Sequence, residues 1–234
     1  MITIVAFIVV LYSGSSPRPG EITLAHNGVL FLDELPEYSR AVLDVLREPL
    51  ESGQIVISRA ARQLTFPASF QLVAAMNPTP GGYGAGDPRS QSYSSEQIRK
   101  YMTRVSGPFL DRIDMHVEVP PVATEVLSSS RLSESSADVR QRVERAWQIQ
   151  LSRQGKGNHQ LTTREMDRYC RLRPEDSQLL QQAIDRLGLS ARSYHRILKV
   201  SRTLADLSGA KMIARAHLTE ALNYRQLDRI HQAG

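Results

Sequence analysis

Between Gly28 and Leu35 the chain reads GVLFLDEL, four apolar residues without polar alternation followed by two adjacent carboxylates. A strand with one solvated face alternates apolar and polar side chains, so the unbroken run Val29, Leu30, Phe31, Leu32 calls for cover on both faces. That is the habit of parallel strands in α/β domains, and a parallel strand reaches its neighbour through a crossover that usually holds a helix. The helix is readable next: Val42, Val45, Leu46 and Leu50 recur at helical spacing, Ser39 is placed to cap it and Gly53 to stop it, with Pro49 bending the last turn. QIVIS and RQLTF then read as two strands of a hairpin around Arg59 to Arg62. A second apolar run, FQLVAAMNP, ends at Asn77 as the first ends at Asp33 and Glu34.

Residues 78–95 are rich in Gly, Pro and Ser and read as loop, and a helix is expected around Glu96 to Val105. The stretch GPFLDRIDMHVEVPP alternates like a strand at its end and stops at Pro120 and Pro121, which places a domain boundary there. The spacing predicts an α/β domain over 1–122 and an all-helical domain over 123–234, with helices at Ser136–Arg153, Thr163–Leu172, Pro174–Leu187, Ala191–Ser208 and Ala216–Tyr224. The halves differ in charge: residues 1–122 carry 10 basic and 12 acidic side chains, residues 123–234 carry 19 and 12. A net charge of about +7 on the second half is compatible with a polyanionic partner and equally with a solvated helical surface. Cys170 is the only cysteine, which excludes an intramolecular disulfide and suits a reducing compartment, the cytoplasm being the simplest. The apolar run Ile4–Tyr12 is too short to span a bilayer, and no membrane partner is expected.

In an open parallel sheet ligands bind beyond the carboxyl ends of the strands, so Asp33, Glu34 and Asn77 are the first functional candidates. An aspartate there can hold Mg²⁺ on a nucleotide phosphate, an adjacent glutamate can orient or deprotonate a water, and Asn77 on a neighbouring strand can fix that water. Capping of the following helix is the alternative role for either acid. Arg112, in FLDRID, is either a local ion-pair partner of Asp111 and Asp114 or an arginine that neutralises a transferred phosphoryl group in a neighbouring subunit. In LSARSYHRILKVSRTL, Arg192, Arg196 and Lys199 share one helical face. The six histidines lack metal-ligand spacing, and no nucleophile elbow or Rossmann fingerprint is present.

These segments together, PRPGEITLAHNGVLFLDELPEYSRAVLDVLREPLESGQIVISRA, FQLVAAMNP, SGPFLDRIDMHVEVP and LSARSYHRILKVSRTLADL, closely resemble the magnesium-chelatase-like AAA+ ATPases of bacteria, competence (ComM/YifB) type. The resemblance covers roughly residues 17–230. It implies a partial AAA+ parallel-sheet core followed by a helical lid, with Asp33 and Glu34 as the Walker B pair, Asn77 as sensor 1, Arg112 as arginine finger and Arg192 as the sensor-2 arginine. The hairpin before Asn77 would be the pre-sensor insertion. It further implies ATP and Mg²⁺ as cofactors, with Asp33 the metal ligand, a ring-shaped homohexamer, and DNA as partner in branch migration during natural transformation.

The chain departs from that pattern in two places. Nowhere does it contain G-x-x-x-x-G-K-[ST], the nearest fragment being RQGKGN at 153–158, so ATP affinity far below that of a complete member and negligible hydrolysis are expected. The loop after Asn77 has none of the cysteines that many relatives carry there, and no metal is expected in it. The expectation is the C-terminal portion of such an ATPase. The alternatives are a non-catalytic module that joins subunits or binds DNA and, behind it, a true magnesium chelatase subunit.

Overall fold

The computed structural model describes residues 12–13, 16–17, 19–59, 62–82, 92–120, 122 and 134–225; the apolar opening up to residue 11, the hairpin tip at 60–61 and most of the loop after Asn77 lie outside them. The chain divides into two compact units, Met1–Ile113 and Asp114–Gly234, a division that falls ahead of Pro120.

In the first unit a short antiparallel pair, β1 (Tyr12–Ser13) and β2 (Ser16–Pro17), precedes helix α1 (Glu21–Leu24), which buries Ile22. The turn after it takes Asn27 to φ +59, and its N–H donates to the Ser69 carbonyl at 2.6 Å, fixing the entry into β3 (Val29–Leu32). β3 pairs in parallel with β6 (Gln71–Ala74), Val29 opposite Gln71 and Leu32 opposite Ala74. The crossover consists of a 3₁₀ turn (Leu35–Glu37), helices α2 (Arg40–Val45) and α3 (Arg47–Ser52), and the hairpin β4 (Gln54–Arg59) with β5 (Arg62–Pro67). Ser39 caps α2 through the Val42 N–H, and Gly53 ends α3 at φ +68.

Where the periodicity suggests one helix bent in its last turn, the structure has two, parted at Leu46. Pro49 has no N–H to donate and its ring crowds the carbonyl four residues back, that of Val45, where α2 ends. The amphipathic face survives the break: Leu43 and Leu46 are 1% and 0% exposed and pack with Ile22, Leu32, Leu35, Ile55, Val105 and Phe109 in one core. Helix α4 (Ser95–Met102) opens on a reciprocal Ser94–Gln97 capping box, and the single turn α5 (Gly107–Leu110) sends Phe109 into the same core.

Every described helix or strand of the second unit is helical: α6 (Ser136–Gln154), α7 (Thr163–Tyr169), α8 (Pro174–Leu187), α9 (Ala191–Leu207) and α10 (Arg215–Asn223), with a 3₁₀ turn at Asn158–Gln160. The stretch from Met115 to Val119, expected to be a strand, forms no ladder among the described residues. Buried His116 instead donates its backbone N–H to the Tyr224 carbonyl at 2.7 Å. The apolar core of this unit, including Leu161, Met166, Leu180, Ile197 and Leu218, encloses a charged knot. Asp206, with no exposed side-chain surface, accepts from Arg153 at 2.9 Å, from Arg202 at 3.2 Å and from Asn158 at 2.9 Å. A buried carboxylate survives only when paired and hydrogen-bonded, and here two guanidiniums and an amide supply the partners.

That knot also decides the fragment RQGKGN. Arg153 is bonded to Asp206, Gly155 ends α6 at φ +73, Lys156 pairs with Glu165 at 2.8 Å, and Asn158 donates to Thr203 and Asp206. Its polar groups close a helix and tie it to α9, so it offers no phosphate cradle.

Candidate functional site

The turn after β3 displays its two acids by burying the residues on either side. Leu32 and Leu35 are 2% and 3% exposed, and Leu35 donates its N–H to the Ala75 carbonyl at 2.9 Å, so the turn is fastened to the end of β6. Asp33 and Glu34 between these anchors are exposed. Glu34 sits at φ 51, ψ 50, left-handed backbone that costs an L-residue about 1–2 kcal/mol, and its N–H donates to Asp33 Oδ1 at 3.0 Å. Strain of this kind persists where neighbouring structure fixes it and clusters at functional sites.

Asn77 follows the end of β6, the strand paired with β3, so both sets of polar residues stand at the carboxyl end of one parallel pair. Asn77 is exposed, and the chain after it curls back: Gly82 at φ +78 donates its N–H to Thr79 O at 3.0 Å, and its α-carbon faces the Asn77 amide. The positive φ, rather than lack of room, selects glycine there, since a β-carbon would stand an ordinary 3.5 Å from Asn77 Nδ2.

The negative potential of this corner is registered by its tyrosines. Tyr38 has its phenol raised above 10.0 by burial and then by the charges of Asp33 and Glu34; Tyr101 is raised by burial first and then by Glu37, with a smaller contribution from Glu34. Arg104 pairs with Glu37 at 3.0 Å, and a shallow cavity of about 380 Å³ lies among Pro36, Tyr38, Arg40 and Arg104.

Arg112 is in the same unit but is folded inward. Its side chain is 7% exposed, one terminal nitrogen 2.8 Å from Glu51 on α3 and the other donating to the Pro108 carbonyl at 2.6 Å. Arg112 and Glu51 also line an open cavity of about 350 Å³ with Asp44, Arg47 and Glu48. Arg192 belongs to the other unit, exposed in the first turn of α9 behind the cap formed by Ser190. Of the residues on its face, Arg196 is ion-paired to Asp114, and Lys199 donates to the His159 carbonyl at 2.9 Å. Burial followed by the nearby Arg196 charge keeps the Lys199 ammonium below the usual lysine range, with Asp114 opposing them.

The structure thus brings Asp33, Glu34 and Asn77 to one end of the sheet, sets Arg112 against Glu51, and carries Arg192 on a separate unit. In donor chemistry, the exposed Asp33 carboxylate at this strand end fits Mg²⁺ of the kind held by one or two carboxylates and completed by phosphate oxygens and water. Among the described residues no group of three or more His, Cys, Asp or Glu side chains forms a self-sufficient metal cage. No described helix is long and apolar enough to cross a membrane. Sequence reasoning missed Glu51 as the partner of Arg112 and the strain at Glu34. The first pairs residues with no local pattern between them, and the second is a backbone state for which glutamate has no preference.

The chain was compared with known families and proteins. The family model for magnesium chelatase, subunit ChlI, matches residues 4–127, and the model for the ChlI C-terminal region matches residues 133–225. The competence protein ComM of Haemophilus influenzae is 53% identical over 220 residues, which cover 94% of this chain and 43% of ComM. The uncharacterized protein YifB of Escherichia coli is 50% identical over 218 residues, covering 93% of this chain and 43% of YifB. A more remote similarity, 23% over 218 residues, links the chain to the DNA replication licensing factor Mcm6 of Drosophila melanogaster. The chain therefore spans less than half the length of its ComM and YifB relatives. With more than half of its residues matched by the first model and most of the remainder by the second, this chain belongs to the magnesium chelatase ChlI family.

Proposed function

We propose that this chain contributes the carboxylate side of a Mg²⁺-ATP site in an AAA+ ATPase of the competence type, whose complete members form homohexamers and drive ATP-dependent branch migration of DNA. The observation that carries the proposal is the meeting of Asp33, Glu34 and Asn77 at the carboxyl end of the β3–β6 pair, with Glu34 held in left-handed backbone. Asp33 would hold the metal. A bound Mg²⁺ neutralises charge on the β- and γ-phosphates. Glu34 accepts a proton from, or orients, the attacking water, and Asn77 fixes that water with its amide. Arg112 serves as arginine finger toward a neighbouring subunit, and Arg192 acts from the helical unit, in the role of a lid, as the sensor-2 arginine. Without a phosphate loop in the chain, nucleotide is held weakly and turnover is negligible.

Backbone NMR of the whole chain with millimolar Mg²⁺-ATP tests the reading. Shifts centred on Asp33, Glu34 and Asn77 that vanish in Asp33→Asn support it; shifts elsewhere, or shifts indifferent to Asp33→Asn, refute it. ATP turnover by the isolated chain that disappears in Glu34→Gln would overturn the claim of silence. The excess of 19 basic over 12 acidic side chains in residues 123–234 favours a second reading, a DNA-binding or subunit-joining module without chemistry. DNA binding that weakens steeply with salt and ignores ATP would select it.

A further inference from the structure

Helix α6 is packed over only half its length. Its C-terminal half belongs to the interior of the helical unit: Ala146 and Gln150 are buried, Gln150 Oε1 accepts from the Asn158 backbone N–H at 2.9 Å, and Arg153 is bonded to Asp206 on α9. Its N-terminal half has no such cover. From Ser136 to Arg145 every residue is exposed except Val139, which is half-buried. The seam nevertheless runs on: Val139, Val143, Ala146 and Gln150 follow at steps of four, three and four, which keeps them on one side of a helix, and Val143 is 53% exposed. Most helical stability in proteins comes from packing such a face rather than from propensity, so the uncovered half of the seam calls for another helix.

The charges beside the seam identify that helix. With Val139 and Val143 turned toward a neighbour, Arg140 and Glu144 lie along one side of the seam, and Asp138 and Arg142 along the other. Let the neighbour be a second copy of α6, antiparallel, with the partner's Val143 opposite Val139. Two-fold symmetry then sets Arg140 beside the partner's Glu144 and Glu144 beside the partner's Arg140, each offset by about 3 Å along the axis, the rise of two residues. Asp138 stands at the same offset from the partner's Arg142, and Arg142 is already ion-paired to Glu134 of its own chain, so no uncompensated charge meets on that side. The direction follows from the packing: residues 136–146 of the two copies overlap, and the overlap ends at Ala146, where the seam enters its own unit. A parallel copy would drive the two packed halves into each other.

We infer that the N-terminal half of α6 is a two-fold interface that pairs with the same half-helix of a second copy of this chain. The contact is isologous and so differs from the head-to-tail contacts that close a ring. It rests on α6 alone and needs nothing from the nucleotide reading.

The test is sedimentation of the whole chain over a wide range of concentrations, without nucleotide or metal. The overlap is about three helical turns, at the small end of specific interfaces, so a reversible dimer that grows with concentration is expected. Arg140→Glu alone and Glu144→Arg alone each set like charges against each other and should weaken the dimer more than about tenfold. An equimolar mixture of these two variants restores both opposite pairs and should dimerise as well as the unaltered chain, a recovery that misfolded variants could not produce. Val143→Asp should weaken the dimer by a similar factor with an unchanged circular dichroism spectrum; if it does not fold, the mixture carries the comparison. A chain that stays monomeric at every concentration, a dimer indifferent to a folded Val143→Asp, or single variants that fail to pair on mixing overturn the inference. Assembly beyond two copies that ignores these substitutions also overturns it, in favour of a ring built on another surface.

Discussion

Glu34 places a glutamate in backbone that favours glycine, and the strain can be measured. At φ 51, ψ 50 its β-carbon crowds its own backbone, at about 1–2 kcal/mol for an L-residue, whereas glycine occupies this region freely but loses about 0.5–1 kcal/mol more chain entropy than alanine. Glu34→Ala and Glu34→Gly both delete the carboxylate and differ only in the β-carbon. Glu34→Gly should be the more stable of the two by about 1 kcal/mol, roughly fivefold in the folding equilibrium. The sign is diagnostic, because at right-handed or extended positions alanine is favoured over glycine. Hydrogen exchange at the Leu35 amide, whose bond to Ala75 O closes this turn, reports on the first unit alone, and urea unfolding followed by far-ultraviolet circular dichroism gives the overall difference. If Glu34→Ala proves as stable as Glu34→Gly, or more so, the strain is not there and the argument from it to function falls.

Two further outcomes concern the helical unit. Asp206→Ala leaves the Arg153 and Arg202 guanidiniums facing each other in the interior, and should cost about 3–5 kcal/mol in denaturant unfolding followed at Trp147. Burial pushes the Cys170 thiol up to about 11 from its ordinary 9.0, against the opposing charges of Arg202 and Arg153. Because the folded protein holds this proton more tightly than the unfolded chain, the associated stability is complete below about pH 9 and is lost as pH rises toward about 11. At pH 8 the folded protein should resist thiol reagents that modify it at once in urea; rapid native labelling would contradict the burial.

What the sequence discloses here is whatever depends on neighbours along the chain. The two apolar runs foretell β3 and β6 and their polar ends, and Ser39 and Gly53 mark helix ends where the structure has them. Met115 to Val119 alternates like a strand yet forms no ladder among the described residues, because a strand exists only with a partner and no local pattern supplies one. The charged knot is half legible: Arg202 and Asp206 are one helical turn apart, but Arg153 comes from 53 positions away. For the candidate site, the residue types and their placement at strand ends follow from the pattern. The left-handed turn at Glu34 and the inward fold of Arg112 are tertiary facts, enforced by the Leu35–Ala75 bond and by Glu51.

The state of Arg112 sets a condition on any role it plays with phosphate. A guanidinium that is 7% exposed must be paired, and here it has two charge-assisted bonds, to Glu51 and to the Pro108 carbonyl, each worth about 1.5–3 kcal/mol. Glu51 is 40% exposed and would rehydrate readily if released, so most of the cost of freeing Arg112 lies in the lost bonds rather than in a stranded carboxylate. Phosphate oxygens can return a bidentate pair of comparable strength. The exchange therefore runs close to even only when the phosphate offers both oxygens at once, and a ligand that reaches a single nitrogen leaves Arg112 with Glu51.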